Sequence, residues 1–131
     1  MSDKNCQQFQ NTVAEYLVRH RSVLDVISKL QESAAHVNRA IVNSVITCGC
    51  LKIDASRQQV PTNASLSDMA NYMQTHLKGS LCPICAENLQ EEIGDTLFYL
   101  TGICALLGLD LDDIIYKENK RLETLGIYNL T

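Results

Sequence analysis

Two groups of residues in this chain of 131 carry side chains whose type and spacing suit chemistry. The first lies in "QEEIGDTLFYL", residues 90–100, where Glu91, Glu92 and Asp95 fall close together in an otherwise apolar helical pattern. Glu92 and Asp95 are three apart and share one helix face, which Tyr99 continues. With Leu89 at the centre of the apolar seam, Glu92 lies about 60° to one side and Asp95 about 120°. The pair therefore borders the core. Two like charges at this spacing repel by a few tenths of a kcal/mol. A divalent cation reverses that sign: Mg²⁺ takes carboxylate oxygens and keeps waters and substrate phosphates in its remaining positions. The competing reading is purely structural, because acids early in a helix suit its positive end.

The second group is cysteine. Of six cysteines, four fall in two short motifs, Cys48-Gly49-Cys50 and Cys82-Pro83-Ile84-Cys85. Cys-x-x-Cys is a half-site for tetrahedral Zn²⁺, since one turn lets two thiolates converge, and Cys-x-Cys is a less common half-site. A zinc held by all four would tie the end of the second helix to the start of the fourth. Three alternatives stand beside it: a reversible disulfide in "CPIC", an iron–sulfur cluster, and plain buried thiols. His76 is a substitute ligand. Cys6 and Cys104 read as unpaired, with Cys104 on an apolar seam.

The elements that must position these groups are helices. Phe9, Val13, Tyr16 and Leu17 form one stripe and predict a helix from Asp3 to His20. Ser22 starts a long second helix with Val23, Ile27, Leu30, Ala34, Val37, Ile41 and Val45 stepping by four and three, ending near Gly49. The stretch "LKIDASRQQVPTNAS" shows no helical period and reads as a loop. Ser65 or Ser67 caps a short third helix through Lys78, with Gly79 as its stop. A fourth helix runs from Ala86 to Leu107 with Leu89, Ile93, Leu97, Leu100, Cys104 and Leu107 as its seam. A fifth starts near Asp110 and ends at Gly126. The expected fold is all-α: one domain over residues 1–131, a four- to five-helix bundle with an insertion at about 49–85. Its long amphipathic helices would bury more surface against a second copy.

Composition agrees with that class. Apolar residues make up 46% and aromatics 5%, with no Trp. Such a core is aliphatic and suits helices better than a β-sandwich. The net charge of −4 argues against generic nucleic-acid binding. The start "MSDKNCQQFQNTV" is polar and carries no secretory pattern. No apolar run approaches the roughly 20 residues of a membrane span. The expected location is the cytoplasm, where cysteines serve as thiols or metal ligands rather than disulfides.

The stretch "EEIGDTLFYLTGICALLGLDLDDII" resembles the second metal-binding helix of the MazG-like, all-α nucleotide pyrophosphohydrolases. That family carries Glu-x-x-Asp there, matched by Glu92-Ile93-Gly94-Asp95, followed by a short turn and another helix. The resemblance is best over residues 87–125. It implies a helical dimer or tetramer that uses Mg²⁺ to cleave a nucleoside triphosphate into a monophosphate and pyrophosphate. The family's preceding helix supplies Glu-x-x-Glu. Here "KLQESAAHVNRAI" offers Glu32, with Ala35 in place of the second acid, and His36 and Arg39 beside it. The resemblance thus implies Glu32, Glu92 and Asp95 as catalytic Mg²⁺ ligands. It also implies Lys117, Asn119, Lys120 and Arg121 of "YKENKRLETLG" as contacts to the nucleotide. Those four equally suit a solvated face near a helix C-terminus. Losing an acid threatens activity more than fold. The alternative function is a catalytically eroded, zinc-clamped binding or regulatory protein.

Overall fold

The computed structural model describes residues 3–18, 21–65 and 67–125. Within these it is mostly helical, with one two-stranded sheet. Helix α1 spans Asp3–Tyr16, α2 Val23–Asn43, α3 Pro83–Leu107 and α4 Leu111–Leu125. The strands are β1, Leu51–Ile53, and β2, Leu77–Gly79. The chain divides into two compact units, one of residues 1–35 and 92–131 and the other of residues 36–91.

The first unit holds α1, the start of α2, most of α3 and all of α4. Its core is small: Val13, Leu17, Val26 and Cys104 are buried, together with Ser33 and Thr101. Gly102 lets the Leu17 side chain pack closely on α3, since a Cβ there would lie 3.2 Å from Leu17 Cδ1. The α3–α4 turn is held by one side chain from α1. Gln10 Nε2 donates to the Leu109 carbonyl at 2.7 Å, and Gln10 Oε1 accepts from the Leu111 N–H at 2.8 Å. Asp110 caps α4 by accepting from the Asp112 N–H at 3.0 Å. The expected start of this helix near Asp110 therefore agrees with the fold, while its expected end at Gly126 lies outside the described residues.

Several expectations need correction. Helix α1 ends at Tyr16 rather than His20, and residues 19–20 are outside the described set. The apolar seam of α3 is only partly covered: Leu97 is 46% exposed and Leu100 44%. The face that α2 buries is Val26 and Ser33. Ile27, one residue over on the expected stripe, stays 45% exposed. Periodicity identifies which positions are apolar, not which of them a facing surface covers.

The second unit departs furthest from an all-helical reading. The expected helix from Ser65 or Ser67 to Lys78 reduces to one 3₁₀ turn, Met69–Asn71, and strand β2. The expected loop after Gly49 begins with β1. The strands pair antiparallel, Leu51 opposite Gly79, Lys52 opposite Lys78 and Ile53 opposite Leu77. The Asp54 N–H donates to the His76 carbonyl at 2.8 Å and extends the ladder by one bond. His76 sits at φ 62°, a left-handed conformation that no right-handed helix admits, so no helix runs through it to Lys78.

Candidate metal centre

The two cysteine motifs stand at the same end of this ribbon. Cys48 closes α2's continuation, a π-helical turn over Ser44–Cys48. Gly49 follows at φ 82° and donates its N–H to the Ser44 carbonyl at 3.0 Å. This left-handed residue reverses the chain within a single position, which places Cys50 beside Cys48 rather than a turn further on. Ser44 itself is buried and donates its hydroxyl to the Ala40 carbonyl at 3.0 Å.

The other motif is built at the start of α3. Cys82 precedes the helix, and Pro83 takes the first helical position, where its missing N–H costs nothing. The Ala86 N–H donates to the Cys82 carbonyl at 2.8 Å, and the Cys85 N–H donates to Cys82 Sγ at 3.4 Å. The sulfur thus acts as the helix cap. The helix starts three residues earlier than the expected Ala86 because Pro83 and this cap define its first turn.

The ribbon joins the motifs. Leu51 directly follows Cys50 and pairs with Gly79, three residues before Cys82. Gly79 has φ 78°, and a Cβ there would lie 2.5 Å from the Cys50 carbonyl oxygen. The strands approach closely enough for the knuckles to face each other only because this position has no side chain.

The four Sγ atoms of Cys48, Cys50, Cys82 and Cys85 all lie within 4.8 Å of one another. Cys48 Sγ and Cys82 Sγ are 3.8 Å apart, and Cys50 Sγ donates to the Ser44 carbonyl at 3.7 Å. All six cysteines are free thiols. A Zn–S bond of about 2.3 Å in a tetrahedron sets neighbouring sulfurs roughly 3.8 Å apart. The donor set therefore fits one tetrahedral ion with little adjustment. A multi-iron cluster spreads its four cysteines over two or four irons and needs wider spacing between sulfurs on different irons. His76 is not in the group.

The thiols titrate unequally. The Cys85 N–H and thiol stabilise the Cys82 thiolate and bring its pKa down to about 7. A hydrogen bond with Ser44 favours the Cys85 thiolate, but Cys82 beside it, burial and the other two sulfurs outweigh that and push it up to about 12. Cys48 is also raised: a backbone contact at Cys50 lowers it, and Cys82, the Cys50 thiol and burial together outweigh that effect. One thiolate forms readily and opposes the next. A divalent cation removes that conflict, since it is the counter-charge that lets four thiolates share one point. Cys104 lies apart on α3, its thiol raised by burial.

The carboxylates are arranged differently. Among the described residues, the four cysteines are the group of three or more candidate ligands that meet at one point, and Glu32, Glu92 and Asp95 do not form a comparable set. Glu92 is half-buried on α3, and Asp95, one turn on, is exposed. Glu32 is exposed on α2 and pairs with Lys29 Nζ at 3.3 Å. His36 and Arg39 are exposed as well.

The side chains of α4 pair along their own helix. Lys117 Nζ meets Asp113 at 3.0 Å, and Asn119 donates to Glu123 at 3.2 Å. Lys120 reaches Glu123 at 3.9 Å and lies over the Tyr116 ring, while Arg121 Nε donates to Glu118 at 3.0 Å. These are exposed pairs of the kind that stabilise a helix by a few tenths of a kcal/mol each.

No protein-family model, no curated protein and no solved structure matches this chain. No helix among the described residues is long and apolar enough to cross a membrane. The ribbon that joins the motifs is the part sequence reasoning missed. Its one trace in the sequence is Gly79, which reads equally as the stop of a helix.

Proposed function

We propose that this chain is a zinc-clamped helical protein built on a scaffold of the MazG-like nucleotide pyrophosphohydrolase type. The carrying observation is the convergence of four thiol sulfurs within 4.8 Å. Zn²⁺ on Cys48, Cys50, Cys82 and Cys85 is a structural ion: four protein ligands leave no open position for substrate. It fixes the end of α2's continuation to the start of α3.

The catalytic part of this reading rests on the resemblance around Glu92-Ile93-Gly94-Asp95 and on the half-buried setting of Glu92. Glu92 and Asp95, helped by Glu32, hold Mg²⁺, whose charge lets water attack a nucleoside triphosphate and release pyrophosphate. Lys117, Asn119, Lys120 and Arg121 turn from their helix partners to the phosphates. A second copy of the chain covers apolar positions that a single copy leaves open, among them Leu97, Leu100, Ile115 and Leu125. The protein works in the cytoplasm, where thiols stay reduced and available to the metal.

A second reading keeps the clamp and drops the catalysis. Ala35 stands where the family has an acid, and Glu32 is engaged by Lys29. The protein is then a binding or regulatory module on the same scaffold. One preparation tests both. Untagged protein should contain about one zinc per chain, and none would remove the clamp from either reading. A panel of canonical and modified triphosphates with Mg²⁺ should give pyrophosphate. Silence across the panel at high protein concentration rejects the hydrolase and leaves the module.

A further inference from the structure

The ribbon does more than join the cysteines. Residues within 54–59 and 71–78 line an open cavity of about 510 Å³ within the second unit. The size falls in the range of small-molecule sites, but its lining is mostly polar. Such a surface selects a charged, hydrogen-bonding ligand over an apolar one.

Two cations face this space, Arg57 and Lys78. Neither has an ion-pair partner among the described residues, although the chain as a whole is acidic at −4. Lys78 also stands directly opposite Lys52 across the ribbon. Like charges in that position are destabilising, and a bound anion relieves them. Tyr72, Asn71 and Gln74 add a ring and amide groups, and Asp54 supplies an acceptor for a hydroxyl.

The cavity wall is organised before any ligand arrives. Gln58 does not line it. Its amide instead clasps the Gln74 backbone, donating from Nε2 to the carbonyl and accepting at Oε1 from the N–H, both at 2.9 Å. With Gln58 turned to that clasp, its neighbours Arg57 and Gln59 face the cavity. His76, at φ 62°, also lines the space, and its Nε2 lies 3.4 Å from Gln58 Nε2. A non-glycine residue held in this region marks a place where surrounding contacts fix an uncommon backbone, and such places cluster at ligand sites.

We propose that this cavity binds the phosphate group of a small hydrophilic ligand, a sugar phosphate or nucleoside monophosphate, with Arg57 and Lys78 on its oxygens. Arg57 offers paired N–H donors that match two phosphate oxygens, and Lys78 adds a point charge. Tyr72 and the amide groups hold the rest of the molecule.

The test is calorimetric titration of the purified, metal-loaded protein, without Mg²⁺, using inorganic phosphate, ribose 5-phosphate and adenosine monophosphate. Binding of at least one phosphate is expected, weakening with added salt. The Arg57→Ala, Lys78→Ala double variant should lose at least tenfold in affinity, while Arg57→Lys with Lys78→Arg retains most of it. Arg21→Ala should bind as wild type. Amide shifts on titration should concentrate in residues 54–59 and 71–78. No binding by the wild type, equal binding by the double alanine variant, or shifts centred on residues 92–95 would each overturn the proposal. The last outcome would instead place the ligand on the carboxylates.

Discussion

The cysteine knuckles and the proposed carboxylate site differ in how their residues are brought together. Around the cysteines, each half-site is completed by a backbone turn a few residues long, and a three-rung ribbon brings the halves together. The acids are single side chains on two long helices, and Glu32 is occupied by Lys29. Local backbone geometry fixes a site within one chain. A site drawn from the faces of separate helices depends on everything that covers those faces, a second subunit included.

If that contrast is right, the largest effect belongs to the cysteines. Cys82→Ser removes a ligand and weakens the cap on α3 at once. Zinc content measured by mass spectrometry should fall from about one per chain to nearly none, because a three-ligand remnant opens to water. Limited proteolysis should then cut within residues 49–85. Glu92→Gln should leave the zinc untouched. Full zinc in Cys82→Ser, or zinc loss in Glu92→Gln, would break the separation of the two regions.

The carboxylate side of the comparison is sharpened by activity. If the acids work on a nucleotide, Glu92→Gln should lower Mg²⁺-dependent pyrophosphate release by about 100-fold, the size expected when a metal ligand or charge stabiliser is lost. Asp95→Asn should follow it. The α4 variant Lys117→Ala should cost less, since that side chain already has a partner in Asp113. Equal activity in wild type and Glu92→Gln would remove this acid from the chemistry.

Gly79→Ala probes how the ribbon holds the knuckles together. The new Cβ would sit 2.5 Å from a backbone oxygen, at a φ that costs other residues about 1–3 kcal/mol before any clash. Thermal stability should fall, and a competing chelator should remove zinc faster. Gly94→Ala, where a Cβ meets nothing within 4 Å, is the control and should be neutral or mildly stabilising. Unchanged zinc release in Gly79→Ala would show that the knuckles hold each other without the ribbon.

These regions differ in how much of them the sequence displays. The "CPIC" motif and the helix boundaries near Gly49 and Asp110 follow from short-range rules, and the structure places them where the spacing expects. The amphipathic stripes mark apolar positions, but burial falls on Val26 and Ser33 of α2 and on Thr101 and Cys104 of α3. The ribbon follows from none of them. "LKI" and "LKG" are too short for alternation to register, and each carries a lysine at its centre. What drives their pairing is Gly79's backbone approach and the neighbouring knuckles, both long-range facts. Ser65 and Ser67 suggested a helix start, yet Ser65 Oγ accepts no backbone N–H there and instead donates to Asp68 at 2.7 Å. The α3 seam was legible as apolar. What packs on it was not, because periodicity describes one surface and burial needs two.

The smallest effect comes from the core of the first unit and tests how tightly that unit is packed. Thr101 is fully buried, and its hydroxyl has no hydrogen-bond partner among the described residues. A threonine inside a helix ordinarily donates to a carbonyl one turn back, as Thr96 does to Glu92 at 3.3 Å on the same helix. An unmet buried hydroxyl costs about 1–3 kcal/mol relative to an apolar group of the same shape. Thr101→Val preserves volume and branching, so denaturant unfolding should show a gain of about 1 kcal/mol, with zinc content unchanged. A loss of similar size would mean that the hydroxyl has a partner in solution. An internal water within the first unit or a second copy of the chain would then be completing this core, and the carboxylates on the same helix would have to be judged in that larger assembly.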